Sequence, residues 1–252
     1  MNSIKNHIPN FLTFTNVACG FVAMMLLVDE KFVQGMWWMF LAVIFDAVDG
    51  MVASKLNVKS EIGGAIDMLA DVVSFAVLPG VGLYLFYQLA PGESLILSSA
   101  AWIAGIGYTT AGLLRETRFI TSQSDRERSQ GFVGLGIAPP AGFNVAVMSL
   151  VNFYPEKLYT PFVLVLVLLF AFFHAYLMIR SKIIFYRWGI RGIIIQFVIS
   201  IIAGVLVYIF LKSFGAALAI FFIFVCAIYI YAHIVYALFR RTTNVYERMQ
   251  DG

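Results

Sequence analysis

The chain has 252 residues, of which 61% are apolar and 12% charged, with a formal net charge of +3 and a mean hydropathy of +0.88. An ordinary soluble domain is about 45–50% apolar and about 25% charged, so this chain lacks the polar surface to cover a fold in water. That composition excludes a cytosolic globular enzyme, a nucleic-acid binder and a disordered chain, and predicts an integral membrane protein.

A helical span takes about 20 apolar residues. Apolar runs bounded by charge or by Pro and Gly fall at Phe11–Val28, Phe32–Ala53, Gly63–Leu89, Leu95–Leu114, Phe132–Phe153, Pro161–Ile179, Ile193–Leu211 and Phe214–Phe239. They predict an all-α polytopic membrane bundle of about eight transmembrane helices. Long runs without ten-residue polar/apolar alternation argue against a β-barrel. The first run follows Lys5, as in a signal peptide. No A-x-A-like site comes after it, however, and Asp29-Glu30-Lys31 closes it, so it reads as a span. Cys19 and Cys226 both sit inside apolar runs, which argues against a disulfide framework.

With the N-terminus placed in the cytoplasm and the loops assigned alternately, fourteen of the 17 Lys and Arg fall inside. Only Lys31, Lys157 and Lys212 fall outside. The positive-inside rule then predicts a multi-pass protein of the cell membrane with both termini cytoplasmic.

Four carboxylates interrupt this apolar pattern: Asp46, Asp49, Asp67 and Asp71. An acid at a helix centre costs about 2.5–3.5 kcal/mol, so four unpaired ones cost roughly 10–14 kcal/mol. No Lys or Arg lies within the same two apolar runs, so the pattern calls for an external cation. Asp46, Asp49, Gly50 and Ala53 share about one 100° arc of the second helix, and Gly63, Asp67, Asp71 and Ser74 do so in the third. Carboxylates on facing helices, with Gly and Ala beside them, predict a small oxygen-lined hollow suited to Mg²⁺ or Mn²⁺ rather than zinc. The short loop Ser54–Ile62 puts this site on the cytoplasmic side.

The stretch Asp46-Ala-Val-Asp49-Gly50-Met-Val-Ala53-Ser54, eight further residues, and Gly63-Gly-Ala-Ile-Asp67-Met-Leu-Ala-Asp71 resembles the CDP-alcohol phosphotransferase signature, D-x-x-D-G-x-x-A-R, about eight residues, G-x-x-x-D-x-x-x-D. The segment Ser60–Pro79 is similar to the phosphatidylserine synthase branch of that family. So are Ile8-Pro9-Asn10-Phe-Leu-Thr13-Phe-Thr-Asn16, Leu114-Arg115-Glu-Thr-Arg118-Phe119 and Gly131-Phe132-Val-Gly134-Leu135. The resemblance covers roughly the first 145 residues.

It implies a six-helix core over residues 1–192, two additional helices over 193–240 and a cytoplasmic tail over 241–252. It also implies a homodimer, and transfer of a phosphatidyl group from CDP-diacylglycerol to L-serine with release of CMP. In similar proteins the four aspartates hold Mg²⁺ or Mn²⁺ and the last is the proposed base. Carried over, Asp46, Asp49, Asp67 and Asp71 bind metal and Asp71 takes the proton. Asn10, Thr13, Asp49, Gly50, Ala53 and Gly63 lie near the nucleotide. Arg115 and Arg118 neutralise a phosphate or a carboxylate of the acceptor.

Two departures stand out. Ser54 occupies the place of the family Arg, with Lys55 on the opposite side of an ideal helix. Gly134-Leu135-Gly136-Ile137-Ala138-Pro139-Pro140-Ala141 replaces the usual G-L-P-x-P-A. Arg126 and Arg128 alternate with acids and read as a solvated loop. Arg180, Lys182, Arg187 and Arg191 read as a cluster that fixes topology. His7, His174 and His233 lack metal-ligand spacing, and the Trp residues read as an interfacial belt.

Three competing readings remain in view. The acceptor is another alcohol, such as glycerol 3-phosphate, an inositol phosphate or choline. The chain is a non-catalytic relative that lost turnover with the Arg at position 54. Or it is a cation-coupled transporter, which predicts broken helices in two repeated halves; the sequence shows no such repeat.

Overall fold

The computed structural model describes residues 2–56, 58, 61–90, 95–121, 132–180, 184–185 and 190–250. The chain runs through α1 (Asn2–Val28), α2 (Phe32–Leu56), α3 (Glu61–Asp71), a π-helical segment (Val72–Val77), α4 (Leu78–Gln88) and α5 (Leu95–Thr121). A two-residue strand, β1 (Phe132–Val133), precedes α6 (Ala138–Phe153), α7 (Pro155–Leu158) and α8 (Pro161–Ile179). Strand β2 (Ile184–Phe185), α9 (Ile190–Leu211) and α10 (Phe214–Gln250) follow. β1 and β2 pair antiparallel, Phe132 opposite Phe185. The fold is an all-α polytopic membrane bundle, as the apolar runs predict.

Among the described residues, seven helical stretches are long and apolar enough to cross a membrane, with α3, the π segment and α4 forming one of them. The eighth apolar run yields α6, of only 16 residues, about 24 Å at 1.5 Å per residue. It starts at Ala138 rather than at Phe132 because Gly134 adopts a left-handed φ of 80°. A side chain there would press on the Met178 carbonyl at 2.9 Å. Pro139 and Pro140 then occupy the first helical turn, where a missing N–H removes no bond. Most of α6 is buried, so it is the inner helix of the bundle. The outer surface carries large apolar side chains such as Phe11, Phe14, Phe162, Ile195 and Phe210. In water they would make an aggregating patch; against lipid they are the expected cover.

Close approach between helices fixes the frame around the carboxylates. A Cβ on Gly20 of α1 would meet Ser74 Oγ at 2.3 Å, and Ser74 Oγ donates to the Asn16 carbonyl at 3.4 Å. The backbones of Gly80 in α4 and Gly105 in α5 touch in the same way. Thr109 Oγ1 donates to the Ala76 carbonyl at 3.2 Å, capturing a carbonyl of the π segment. Bonding across five residues leaves such carbonyls available, and π segments recur at functional sites. Ser149 of α6 donates to the Phe32 carbonyl of α2 at 3.0 Å. α10 reaches α2 through Trp37–Phe214 stacking and the Phe40–Phe222 contact.

Gly105→Ala tests this frame. Its Cβ would lie 2.6 Å from the Gly80 carbonyl oxygen, which is backbone and cannot swing aside. Overpacking of this kind costs about 1–3 kcal/mol, so thermal unfolding in detergent is expected several degrees lower. An unchanged midpoint would show that α4 and α5 separate freely.

Candidate metal and phosphate site

Asp46 and Asp49 lie in the third turn from the end of α2, and Asp67 and Asp71 in the last two turns of α3. α1 packs against both elements and brings its polar face to them. One carboxylate oxygen from each of Asp46, Asp49 and Asp67 lies within 4.8 Å of the other two. Thr13 Oγ1 donates to Asp49 Oδ2 at 2.5 Å, and both residues are buried, at 4% and 3% exposure. Asp71 stands beside this triad. Its Oδ1 accepts from Asn16 Nδ2 at 3.3 Å, and its carboxyl group lies beside that of Asp46. The π segment begins immediately after it.

The donor set fits a divalent cation. It is all oxygen, dense and anionic, which hard ions such as Mg²⁺ and Mn²⁺ require. Asp67 Oδ1 is buried with no hydrogen-bond partner among the described residues, an acceptor for which a cation is the natural complement. Gly50 has nothing within 4 Å of where a Cβ would stand, so a bulky group can approach the backbone beside Asp49. Ala53 and Gly63 are half-buried nearby on the faces expected from helical periodicity, and Asn10 lies half-buried one turn before Thr13.

Helix α2 continues to Leu56, so Lys55 is helical and exposed, as is Ser54. Lys55 therefore does not take the place of the family Arg. The nearby cation comes from α5 instead. Arg115 acts electrostatically on Asp46 and is ion-paired with Glu116. Arg115 also lies over the Phe119 ring, with 5.2 Å to the centroid. Arg118 is half-buried one turn from Arg115. The basic residues Arg126, Arg128, Lys182 and Arg187 lie outside the described residues.

Sequence reasoning missed Glu116. It is only 4% exposed and adds negative charge near Asp46, Asp67 and Asp71. The register explains its position. Gly105 meets Gly80 and Gly112 meets Ala76 on antiparallel partners, which carries residue 116 opposite Val72 and next to Asp71. Glu116 also offsets Arg115, so the four aspartates keep their excess of negative charge. The Glu following Arg115 inside an apolar helix was the available signal.

A model of the family "CDP-alcohol phosphatidyltransferase" matches residues 6–244, and the chain belongs to that family. It is 31% identical over 144 residues to the CDP-diacylglycerol–serine O-phosphatidyltransferase of Bacillus subtilis (strain 168), covering 57% of this chain and 76% of that protein. It is 31% identical over 147 residues to the protein of the same name from Methanocaldococcus jannaschii, covering 58% and 63%. It is 27% identical over 111 residues to the phosphatidylcholine synthase of Rhizobium meliloti (strain 1021), covering 40% and 46%.

Thr13→Val removes the hydroxyl that orients Asp49 while keeping the side chain's shape. Loss of such an outer-shell partner lowers metal affinity about 10–100-fold. Mn²⁺ is expected to raise the melting temperature of the wild type, and to do so in the variant only at correspondingly higher concentration. An identical Mn²⁺ dependence in both proteins would detach Thr13 from the metal site.

Proposed function

We propose that this family member transfers a phosphatidyl group from CDP-diacylglycerol to the hydroxyl of L-serine, forming phosphatidylserine and CMP. The observation that carries the reading is the arrangement of the four aspartates. A three-carboxylate hollow is shared between two helices, and a fourth carboxyl group sits at its edge in contact with Asp46. Asp46, Asp49 and Asp67 would hold the divalent ion, Mg²⁺ or Mn²⁺. A bound divalent ion neutralises the diphosphate and stabilises the leaving phosphate.

The chain's own residues do the rest. Thr13 and Asn16 hold Asp49 and Asp71 in place from α1. Asn10, Thr13, Gly50, Ala53 and Gly63 surround the position of the nucleotide's phosphates, and the open space at Gly50 lets a diphosphate approach. Asp71 accepts the proton of the acceptor hydroxyl as its oxygen bonds to the lipid-side phosphorus. The bond from that phosphorus to the CMP oxygen breaks, and CMP leaves with its electron pair. Asn16 steers Asp71 because its Nδ2 holds Oδ1 and leaves the second oxygen for the proton.

Serine is supported over other alcohols by the Arg115–Glu116 pair. An α-amino acid carries both a carboxylate and an ammonium. A half-buried guanidinium beside a buried carboxylate, next to Asp71, offers a partner to each. A phosphorylated acceptor would need several convergent cations, and Glu116 works against that. The names of the Bacillus and Methanocaldococcus relatives point the same way, and the Rhizobium relative makes choline the acceptor to test beside serine. By the distribution of Lys and Arg, the site faces the cytoplasm of a cell-membrane protein with both termini inside.

The test is CMP release by purified protein with CDP-diacylglycerol, Mn²⁺ and a panel of L-serine, choline, glycerol 3-phosphate and inositol phosphate. Release is expected with serine, falling about 10²–10⁴-fold in Asp71→Asn. Glu116→Gln is expected to raise KM for serine while the CDP-diacylglycerol KM stays unchanged. Release with choline alone would overturn the acceptor, and no release with any alcohol would overturn the reaction.

A further inference from the structure

The π segment follows Asp71 directly, and in it the Leu78 N–H donates to the Val73 carbonyl, five residues back. Such a turn takes up one residue more than an α-turn. Neighbouring helices hold the chain on both sides of that extra residue. On the far side α5 does so. Thr109 Oγ1 donates to the Ala76 carbonyl at 3.2 Å, and a Cβ at Gly112 would lie 2.6 Å from the Ala76 Cβ. One turn on, the Gly80 backbone meets Gly105, and a Cβ at Gly80 would collide with the Thr109 hydroxyl. On the near side α1 holds the chain. Asn16 Nδ2 donates to Asp71 Oδ1 at 3.3 Å, and Ser74 Oγ donates to the Asn16 carbonyl at 3.4 Å. Helix α5 therefore fixes the run from Ala76 onward, and α1 fixes it at Asp71 and Ser74. With α4 held and the extra residue removed, α3 would turn about 100° on its axis and draw about 1.5 Å toward α4. Asp67 and Asp71 would then leave the face that meets Asp46 and Asp49.

We propose that Thr109 is a positioning residue for the transfer reaction: it holds the extra residue in the π segment and so sets the angle at which Asp67 and Asp71 face α2. The proposal rests on the reading of the four aspartates as the metal and proton site. Wide turns of this kind are rare, because an ordinary helix makes the same backbone bonds with better geometry. Val72–Val77 contains no Pro or Gly to force one, so the cause lies outside the segment. A hydroxyl bonded to the Ala76 carbonyl is such a cause. In the hydrocarbon region no water competes for that carbonyl, so the bond is kept. Thr109 acts through the aspartates rather than on the substrate. Its helix also carries Arg115 and Glu116. One rigid element thus sets both the pair offered to the acceptor and the angle of the carboxylate that takes its proton, and their mutual alignment is what an in-line attack requires.

The test compares CMP release at saturating Mn²⁺ by Thr109→Val, which keeps the side chain's shape, and Thr109→Ser, which keeps its hydroxyl. Thr109→Val is expected to lower kcat about 10–100-fold, the scale of an ångström-sized misplacement. Both substrate KM values and the melting temperature should stay close to wild type, the pattern of an interaction that matters only in the transition state. Thr109→Ser should restore kcat to within a few-fold of wild type. A further variant deletes Val73, whose carbonyl closes the π turn. It is expected to lose the rise in melting temperature that Mn²⁺ gives the wild type, because Asp67 leaves the triad. A wild-type kcat in Thr109→Val, or equal losses in the Val and Ser variants, would overturn the proposal. So would a Mn²⁺ response that survives the deletion. A lower melting temperature and altered KM values in Thr109→Val would make the bond merely structural, which also overturns it. If the shortened chain does not fold, the Thr109 pair decides alone. A wild type that releases no CMP, yet loses its Mn²⁺ response on deletion of Val73, would overturn the reaction and leave the role of the extra residue standing.

Discussion

Four carboxylates held within membrane helices, with Arg115 near them and offset by Glu116, are the constraint around which this molecule is arranged. Arg115 stands close but is offset by Glu116, so the aspartates retain an uncompensated negative charge. In a low-dielectric setting that charge is expensive unless a cation arrives with the substrate. The protein therefore keeps a destabilising feature whose relief is coupled to binding. The helices around it supply the stiffness that the arrangement needs, through Gly20 against Ser74 and Gly80 against Gly105.

The π segment connects that rigidity to chemistry. An α-helix through residues 72–77 would rotate Ser74 and Phe75 relative to the aspartates before them. The wider turn instead places Ser74 against α1 while α3 presents Asp67 and Asp71 to α2. Thr109 from α5 takes up an exposed carbonyl of that turn. One local irregularity thus lets a single apolar run satisfy two different neighbours.

Much of this was legible in the sequence, and the limits have physical reasons. Helix positions follow from apolar runs because lipid demands long helices with every backbone bond made internally. The aspartate faces follow from periodicity alone, which is why Asp46, Asp49 and Asp67 converge as expected. The start of α6 was also written in the chain, in Gly134, Pro139 and Pro140, although the apolar count carried the expected run back to Phe132. The π segment left no local trace, since Val72–Val77 reads as ordinary helix and its geometry is imposed by Thr109 and Gly20. Glu116 was masked by Arg115, because adjacent opposite charges near a helix end read as interfacial anchoring. The wall that α9 and α10 lend to an apolar cavity against α2 and α6 joins residues 190 positions apart, such as Met36 and Cys226, and no periodicity reports that.

The last two helices change how the whole is understood. From the sequence they follow the signature-bearing half as additions. In the structure α10 packs along α2 and α6, and its Tyr229 comes near Arg115. The carboxylate hollow and the Arg115–Glu116 pair thus lie close to the apolar space that α9 and α10 line together with α2 and α6.

The most direct test of the account is anomalous diffraction from crystals grown with Mn²⁺ and CDP. The account predicts an anomalous peak between the carboxylates of Asp46, Asp49 and Asp67, lost in Asp67→Asn. A fully ordered site with no peak there, or a peak that persists in Asp67→Asn, would contradict it.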